Sequence, residues 1–204
     1  MFYDTTLNNH GLPFNPFKSC VIPRPIAWIT SISKHNQINL APFSYFNAIS
    51  DLPPMIMFSV SNKKPDGHEK DTLRNIEDTK EFVVNIATLK LKDPMNLSSK
   101  SFDYGINEIE EIGLETLPST LIKPPRIKQS PIHLECIYHQ SIQLPVVDEA
   151  HTNRMIIGKV IGVHIEDDLI IDGKVDVTKF NPLARLGYRE YSSIDTKFVI
   201  EKPK

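Results

Sequence analysis

The 204-residue sequence has little that would mark a disulfide-stabilised, metal-binding or membrane-spanning protein. It contains only two cysteines, Cys20 and Cys136, and neither a CxxC motif nor a paired Cys/His cluster, which argues against a zinc site. The two thiols could form one disulfide, but we favour unpaired thiols in a reducing cytoplasm. No apolar run approaches the roughly 20 residues that cross a bilayer. The N-terminal stretch MFYDTTLNNHGLPF lacks the basic start and apolar core of a signal peptide, so we expect a cytoplasmic protein.

The sequence also lacks a large excess of charge of one sign and the common catalytic motifs. The formal net charge is −2, so no strong field indicates binding to nucleic acid or to a membrane. Neither GxGxxG nor GxxxxGK[ST] occurs, which removes the two common nucleotide-binding loops. No Ser-His-Asp order or nucleophile elbow supports a hydrolase. His133 and His139 would lie roughly 20 Å apart along one strand, too far to share a metal.

Sixteen prolines and several runs of β-branched and aromatic residues favour a β-rich fold. In the long segment 131–144, Ile132, Leu134, Cys136, Tyr138 and Ile142 are expected on one face. In 155–166, Gly158 and Gly162 are expected on one face, where missing side chains would allow another group to approach. A turn is expected at Asp172-Gly173. The predicted strands are 26–32, 55–61, 82–88, 131–144 and 155–166.

Helical signals are fewer. Residues 70–80 place Leu73 and Ile76 three apart behind Asp71 or Thr72 as the expected N-cap. Short helices are expected within 89–100 and 106–112. No Gly/Ser-rich linker divides the chain, so residues 1–204 are interpreted as one domain. Many strands with few helices predict a mainly β barrel or sandwich with helical insertions.

The first candidate site is RPIAWITS, in which prolines precede the only tryptophan. On a strand, Ile26, Trp28 and Thr30 point one way, and Ala27, Ile29 and Ser31 the other. Trp28 could form the flat wall of a pocket for a planar ring, with Thr30 and Ser31 as hydrogen-bond donors. The alternative is that Trp28 anchors the core and the hydroxyls cap a turn.

The second candidate is NLAPFSYFNAISDLPP, residues 39–54. On a strand, Ser44, Phe46, Ala48 and Ser50 would share a face, and their small polar groups would leave room for a ligand. The amide of Asn47 would add both a donor and an acceptor. The alternative is an edge strand with ordinary turn chemistry.

Two further segments carry cations. In KDTLRNI, Lys70, the Thr72 hydroxyl and the N–H groups of a helix start could bind a phosphate, provided that Asp71 turns away, for example toward Arg74. In NPLARLGYREYS, Arg185 could reach a phosphate or a partner subunit, and the tyrosines could cover a ring. The alternatives are an ordinary capped helix and a solvated loop.

In this order, the segments RPIAWITS, NLAPFSYFNAISDLPPMIMFSVS, KDTLRNIEDTKEFVVNIA and NPLARLGYREYS resemble the flavin reductase-like family with an FMN-binding split barrel. The resemblance covers most of residues 18–192. The RPxAW-type opening is similar to the flavoredoxin-like subgroup. The fold implied is therefore a mainly β split barrel with short helical insertions.

The resemblance implies a homodimer with FMN bound near the subunit interface. It implies an oxidoreductase that takes a hydride from NADH or NADPH and passes electrons to free flavin or to a partner protein. The alternatives are an electron-carrier flavoprotein without nicotinamide turnover and a split barrel that binds another ligand, such as haem or pyridoxal phosphate. The implied cofactor-binding residues are Trp28, Thr30 and Ser31 in the flavin site, Asn47, Ala48, Ile49 and Ser50 along the ring edge and ribityl chain, Lys70, Asp71 and Thr72 at the phosphate, and Arg185 and Tyr191.

Overall fold

A computed structural model of the chain describes residues 1–64, 66–100, 108–148 and 151–203. These residues form a mainly β structure, as the sequence predicts. The strands are β1 (Arg24–Pro25), β2 (Ala27–Ile32), β3 (Ile38–Phe43), β4 (Phe46–Asp51), β5 (Pro54–Ser61), β6 (Glu81–Ile86), β7 (Thr116–Leu117), β8 (Arg126–Ile127), β9 (Ile132–Gln143), β10 (Asn153–Ile165), β11 (Ile170–Ile171), β12 (Lys174–Val175), β13 (Leu183–Arg185) and β14 (Tyr191–Ser193).

The short helices lie between the strands. A 3₁₀ turn at Leu89–Leu91 leads into one of them, and a second 3₁₀ turn covers Asp167–Leu169. The α-helices are α1 (Phe17–Cys20), α2 (Asp71–Thr79), α3 (Lys92–Leu97), α4 (Glu108–Glu111) and α5 (Val177–Phe180). The helices predicted within 70–80, 89–100 and 106–112 are thus present, although residues 106 and 107 lie outside the described part of the chain.

A seven-stranded antiparallel sheet with the order β3-β2-β6-β9-β10-β5-β4 forms the body of the protein. The candidate segment 39–54, considered as one strand, forms two, because the chain leaves the sheet at Ser44-Tyr45 and returns as β4. β4 then pairs with β5 through a tight connection at Leu52-Pro53 and becomes one edge of the sheet. A separate three-stranded sheet, β1-β13-β14, brings residues 183–193 beside the start of β2.

The side chains of β2 alternate between two apolar clusters, as expected for a strand with both faces covered. Ala27 and Ile29 pack into one cluster with Leu73 and Ile76 of α2. On the opposite face, Trp28 belongs to a second cluster. Its other buried members are Ile26, Leu40, Ala87, Leu91, Met95, Ile109, Ile127 and Leu183. All six residues of β2 are buried, so the strand has no solvent-facing side.

Two β-bulges change the pattern predicted for the long hairpin of β9 and β10. At the first bulge, Ile157 and Gly158 of β10 lie opposite Gln140 and Tyr138 of β9. His139 therefore has no residue opposite it. Ser141 therefore faces inward, opposite the buried Ile156, and Ile142 turns outward and is 37% exposed. The prediction that Ile142 shares the buried face of the strand is wrong for this reason.

The second bulge lies at Ile161 and separates the two glycines of β10. Gly158 faces the core, where an added Cβ would lie only 2.5 Å from the Phe82 ring. Gly162 instead lies opposite Glu135, and its added Cβ would be 3.5 Å from the Cβ of that residue. The close approach expected at Gly158 is confirmed, but the expectation that both glycines share a face is wrong.

The start of α2 also differs from the prediction. Lys70 occupies the N-cap position, and Asp71 is the first helical residue rather than the cap. The Asp71 carboxylate instead forms ion pairs with Lys64 and Arg74, both at 2.8 Å. The expected turn at Asp172-Gly173 is present, and both residues have positive φ.

Cys20 and Cys136 are unpaired, as favoured from the sequence, and Cys136 is buried. Within the described ranges, no helix is both long and apolar enough to span a bilayer. In the same part of the chain, no three His, Cys, Asp or Glu side chains gather as a metal site.

Candidate functional site

Two adjoining cavities form one groove along the outer side of β3. The first has a volume of about 630 Å³ and reaches Arg185 and Tyr191. The second, of about 90 Å³, reaches the start of α2. Pro42, Phe43 and Ser99 line both cavities, so the two spaces adjoin. We call the combined space the β3 groove. A third cavity of about 750 Å³ lies between the N-terminal segment and Tyr188, and none of the predicted site residues lines it.

The α2 end of the β3 groove is cationic. Lys64, Lys70 and Lys100 line it together with Asp71 and the buried Thr72. The first N–H groups of a helix have no partner within the helix and favour an anion. The condition set from the sequence is met, because Asp71 turns toward Arg74 and does not cap these N–H groups.

The opposite end is formed by the loop that follows β13. The Arg185 guanidinium lies 4.3 Å from the centre of the Tyr191 ring and donates to its hydroxyl. Arg185 also donates to the Tyr188 carbonyl, and the left-handed backbone of Tyr188 (φ 51°) turns the loop. These contacts orient a cation and an aromatic ring together at the mouth of the groove, next to Arg189.

The structure places Trp28 beneath the groove rather than in its wall. The Trp28 side chain is fully buried, and its Nε1 donates to Ser98 Oγ at 2.9 Å. Ser98 in turn donates to the Met95 carbonyl at the end of α3. Since Met95, Asn96 and Ser99 line the groove, this bond fixes the segment that supplies one wall. The position matches the interpretation of Trp28 as a core anchor.

Thr30 and Ser31 are likewise fully buried and lie away from the groove. Asn85 Nδ2 donates to the Thr30 hydroxyl at 2.7 Å and to the Trp28 carbonyl, and Asn85 Oδ1 accepts from Ile127 N. Ser31 Oγ accepts from Asn75 of α2 at 3.3 Å. Both hydroxyls thus satisfy buried polar groups of the protein itself, as burial requires.

Asn47, Ala48, Ile49 and Ser50 also lie outside the β3 groove. They are exposed on β4, whose outer edge pairs with no strand among the described residues. A bulge between Ala48 and Ser50 interrupts the alternation expected for this strand. Ser44, which precedes β4, does line the groove.

The structure therefore brings Lys70, Asp71, Thr72, Arg185 and Tyr191 together along one groove, although more than 100 residues of sequence separate the two sets. The sequence analysis missed Lys92, Asp93 and Asn96, which line the groove from α3. Their spacing on one helical face was the available signal. No sequence signal identified Pro42 and Phe43 as groove residues, because apolar residues on a strand are usually predicted to lie in the core.

Glu108 and Asn39 were also missed. They lie at the α2 end of the groove, and Leu40 N donates to Glu108 Oε2 at 3.2 Å. Burial raises the pKa of Glu108 to about 7, and the nearby Asp71 carboxylate acts in the same direction. This carboxyl group therefore titrates near neutral pH.

Of the two histidines considered from the sequence, His133 has a structural role. His133 Nε2 lies 2.8 Å from the Ile127 carbonyl, and burial lowers the pKa of His133 to about 4. The neutral ring is thus a hydrogen-bonded core group.

Comparison with known proteins identifies one family for this chain. Residues 19–179 match the model of the flavin reductase like domain. An uncharacterized protein of Aquifex aeolicus is 38% identical over 172 residues, which cover 84% of each chain.

Two solved structures share 29% identity with this chain. Nitrilotriacetate monooxygenase component B from Bacillus cereus has a TM-score of 0.87, and the match covers 98% of both chains. The 2-nitrobenzoate 2-nitroreductase NbaA of Pseudomonas fluorescens has a TM-score of 0.84, with 100% of this chain and 96% of that chain covered. A Shewanella frigidimarina protein with a split barrel domain has a TM-score of 0.83 at 18% identity and covers 100% of both chains, which shows the fold. The predicted split barrel is thereby confirmed.

Replacing Trp28 tests its role as an anchor. Trp28→Ala should lower the free energy of unfolding by about 3–5 kcal/mol, because a buried ring is lost. Trp28→Phe should cost less, since the phenyl ring still fills much of the buried space that the indole occupies. Urea unfolding followed by circular dichroism measures both. Unchanged stability of the alanine variant together with lost ligand affinity would instead indicate direct contact with a ligand.

Proposed function

This chain belongs to the flavin reductase-like family, and we propose that it binds FMN in the β3 groove and passes electrons from NAD(P)H to free flavin or to a partner protein. The observation that carries the proposal is that two cavities with different linings adjoin along β3. One end is cationic at a helix start, and the other is lined by an Arg–Tyr pair. A phosphorylated planar cofactor requires these two kinds of surface at its two ends.

The phosphate is assigned to the α2 end. Lys70 and the free N–H groups of α2 supply positive charge there, and Lys100 adds a second ammonium group. The Asp71 carboxylate is held by Lys64 and Arg74, so its charge is compensated by two cations. An anion at this position gains charge-assisted hydrogen bonds, which are stronger than neutral ones.

The isoalloxazine ring is assigned to the wider end. Ile26, Phe43, Met95 and Tyr191 offer apolar or aromatic surface there, and Ser44 offers a hydroxyl. The cavity volume of about 630 Å³ falls within the usual range for cofactor sites. Bound FMN would supply the redox chemistry, since flavin accepts a hydride and returns electrons. The chain's own residues would bind and orient the ring, and no general acid or base is required.

NAD(P)H as the reductant is supported by charge at the mouth of the groove. Arg185 and Arg189 lie there with the exposed Lys92, and a nicotinamide dinucleotide carries a diphosphate that such cations attract. Transfer to a protein partner is supported by the similar Bacillus cereus protein, whose name describes one component of a monooxygenase.

Reduction of bound flavin tests the enzymatic proposal. The FMN-loaded protein should lose its absorption band at roughly 450 nm within seconds of mixing with NADH or NADPH in the absence of oxygen. Free FMN with the same nicotinamide is the control. Failure to bleach with either nicotinamide, when dithionite does bleach the band, would favour an electron carrier. A protein that takes up no FMN at all would overturn the cofactor assignment.

A lysine substitution tests the position of the phosphate. Lys70→Ala should weaken FMN binding by about 1–3 kcal/mol and leave riboflavin binding unchanged, because riboflavin lacks the phosphate. The matched control is Lys34→Ala, which removes the same charge near the other end of α2, where Lys34 pairs with Asp78. Fluorescence titration with both flavins gives the affinities. Equal losses for FMN and riboflavin would place the phosphate elsewhere.

The proposed assembly is a homodimer that covers β4. Within the part of the chain that the structure describes, the outer edge of β4 is an unpaired sheet edge, which proteins usually cover or protect. Ile49 is 50% exposed and Leu52 is 88% exposed on this side. Residues 47–50 lie outside the β3 groove of their own chain, so we assign their flavin contacts to the groove of the second subunit.

A charge on β4 tests this assembly. Ile49→Asp should yield a monomer with reduced FMN affinity, because a buried carboxylate without a partner opposes association. Ile171→Asp is the control, since Ile171 is 41% exposed on the separate β11-β12 hairpin. Sedimentation velocity with and without FMN reports the mass. A wild-type protein that is monomeric and fully FMN-loaded would contradict the proposal.

A further inference from the structure

Three polar side chains form a chain of contacts at the α2 end of the β3 groove. Thr72 is the second residue of α2 and is 1% exposed. Its Oγ1 lies 2.8 Å from the side-chain amide of Asn39, which extends from β3. The other atom of the same amide lies 3.1 Å from Glu108 Oε1 on α4. All three residues are at least nine-tenths buried, and all three also line the α2 end of the β3 groove.

The Asn39 side-chain amide satisfies both of its polar atoms in one orientation, in which Oδ1 accepts from Thr72 Oγ1 and from Leu40 N at 3.3 Å and Nδ2 donates to Glu108 Oε1. The opposite orientation becomes favourable only when Glu108 is protonated, and each orientation gives Thr72 a different role. In the first, Asn39 Oδ1 accepts the Thr72 hydrogen. In the opposite one, Asn39 Nδ2 donates to Thr72 Oγ1, so the Thr72 hydrogen remains free to donate elsewhere. The orientation depends on whether Glu108 donates or accepts a hydrogen bond, since its carboxyl group is the last member of this series of contacts.

The protonation state of Glu108 selects the orientation. An ionised carboxylate only accepts hydrogen bonds, so it requires Nδ2 of Asn39 to face it. The Thr72 hydroxyl then donates to Asn39 and has no hydrogen left for an anion. A protonated Glu108 donates to Asn39 Oδ1, which turns Nδ2 toward Thr72. The Thr72 hydroxyl is then free to donate into the groove.

We propose that Glu108, Asn39 and Thr72 form a proton-coupled relay that controls how tightly the α2 end of the groove binds a phosphate. The inference rests on the proposed binding of FMN in this groove. Glu108 and Asn39 act as positioning residues, because they affect the ligand through the hydroxyl of Thr72. Protonation of Glu108 also removes one negative charge from the neighbourhood of the phosphate, which acts in the same direction.

The charged groups around Glu108 set the pH at which the relay changes. Burial and the Asp71 carboxylate raise the pKa of Glu108 to about 7, against the lowering effects of the Leu40 N–H and the Lys64 ammonium. Lys70 and Lys100 line the same end of the groove. Below neutral pH, the Thr72 hydroxyl is therefore free to donate to a phosphate. Above neutral pH it donates to Asn39, so binding of phosphate weakens as the pH rises.

The variant Glu108→Gln tests the relay, because its amide donates to Asn39 at every pH and imitates the protonated acid. The ratio of FMN dissociation constants, wild type over variant, should be near one at pH 5.5. At pH 8.5 the ratio should rise to about ten, the value for loss of one hydrogen bond to a charged group. The second ionisation of the phosphate, with a pKa of about 6, affects both proteins and cancels in this ratio.

Two controls make the result specific. Riboflavin should give a ratio near one at both pH values, since it lacks the phosphate. Thr72→Val should bind FMN without the additional pH dependence of the wild type, whereas Thr72→Ser should retain it. Thermal unfolding without ligand should show that Glu108→Gln is more stable than wild type at pH 8.5 but not at pH 5.5, because ionising the buried Glu108 destabilises the folded state.

The outcomes separate the relay from the proposed function. FMN binding with the same ratio at both pH values would overturn the relay and leave the FMN site intact. A pH-dependent ratio that is equal for FMN and riboflavin would also overturn it, because the effect would then not act on the phosphate. Absence of FMN binding in both proteins at every pH would instead overturn the FMN site on which the relay depends.

Discussion

Complete burial of β2 is the constraint on which the rest of this structure depends. Because both faces of the strand are covered, each polar group on it must find its partner inside the protein. Ser31 accepts from Asn75 and is thereby joined to α2, while Trp28 donates to Ser98 at the end of α3. These two helices border the β3 groove at different ends. The strand thus supports the site without contributing a surface to it.

This arrangement separates the groups that would meet a ligand from those that hold them. Cations and an aromatic ring line the groove at its two ends. Several of the amides and hydroxyls that hold the surrounding elements, such as Asn85 and Thr30, lie behind it. Asn85 is an example of the second kind, since its amide joins β6 to Trp28, Thr30 and Ile127. At Glu108, where the proposed relay begins, burial instead raises the pKa of a supporting group to about 7. There, the supporting layer would influence binding.

Much of the fold could be predicted because strand and helix periodicities are local properties. The strands near 26–32, 55–61 and 82–88 and the helix near 70–80 are present close to their predicted positions. The bulges at His139 and Ile161 were not predictable, because each depends on the register of a partner strand. They reversed the expected faces of Ile142 and Gly162. Of the candidate site, the sequence identified the two charged ends but missed the walls from β3 and α3.

By itself, the sequence determined the alternation along β2 and the amphipathic start of α2, since each depends on residues that are close in the chain. It also determined the family resemblance, which depends on the order of four segments and not on their positions in space. Only the tertiary structure decided which of the suggested residues share a groove. Trp28, Thr30 and Ser31 fit a ligand site by residue type, yet their side chains are enclosed by α2, α3 and β6. Lys70 and Arg185 are distant in sequence, yet they border the same groove. Burial and proximity are set by long-range packing, which no local pattern of residues encodes.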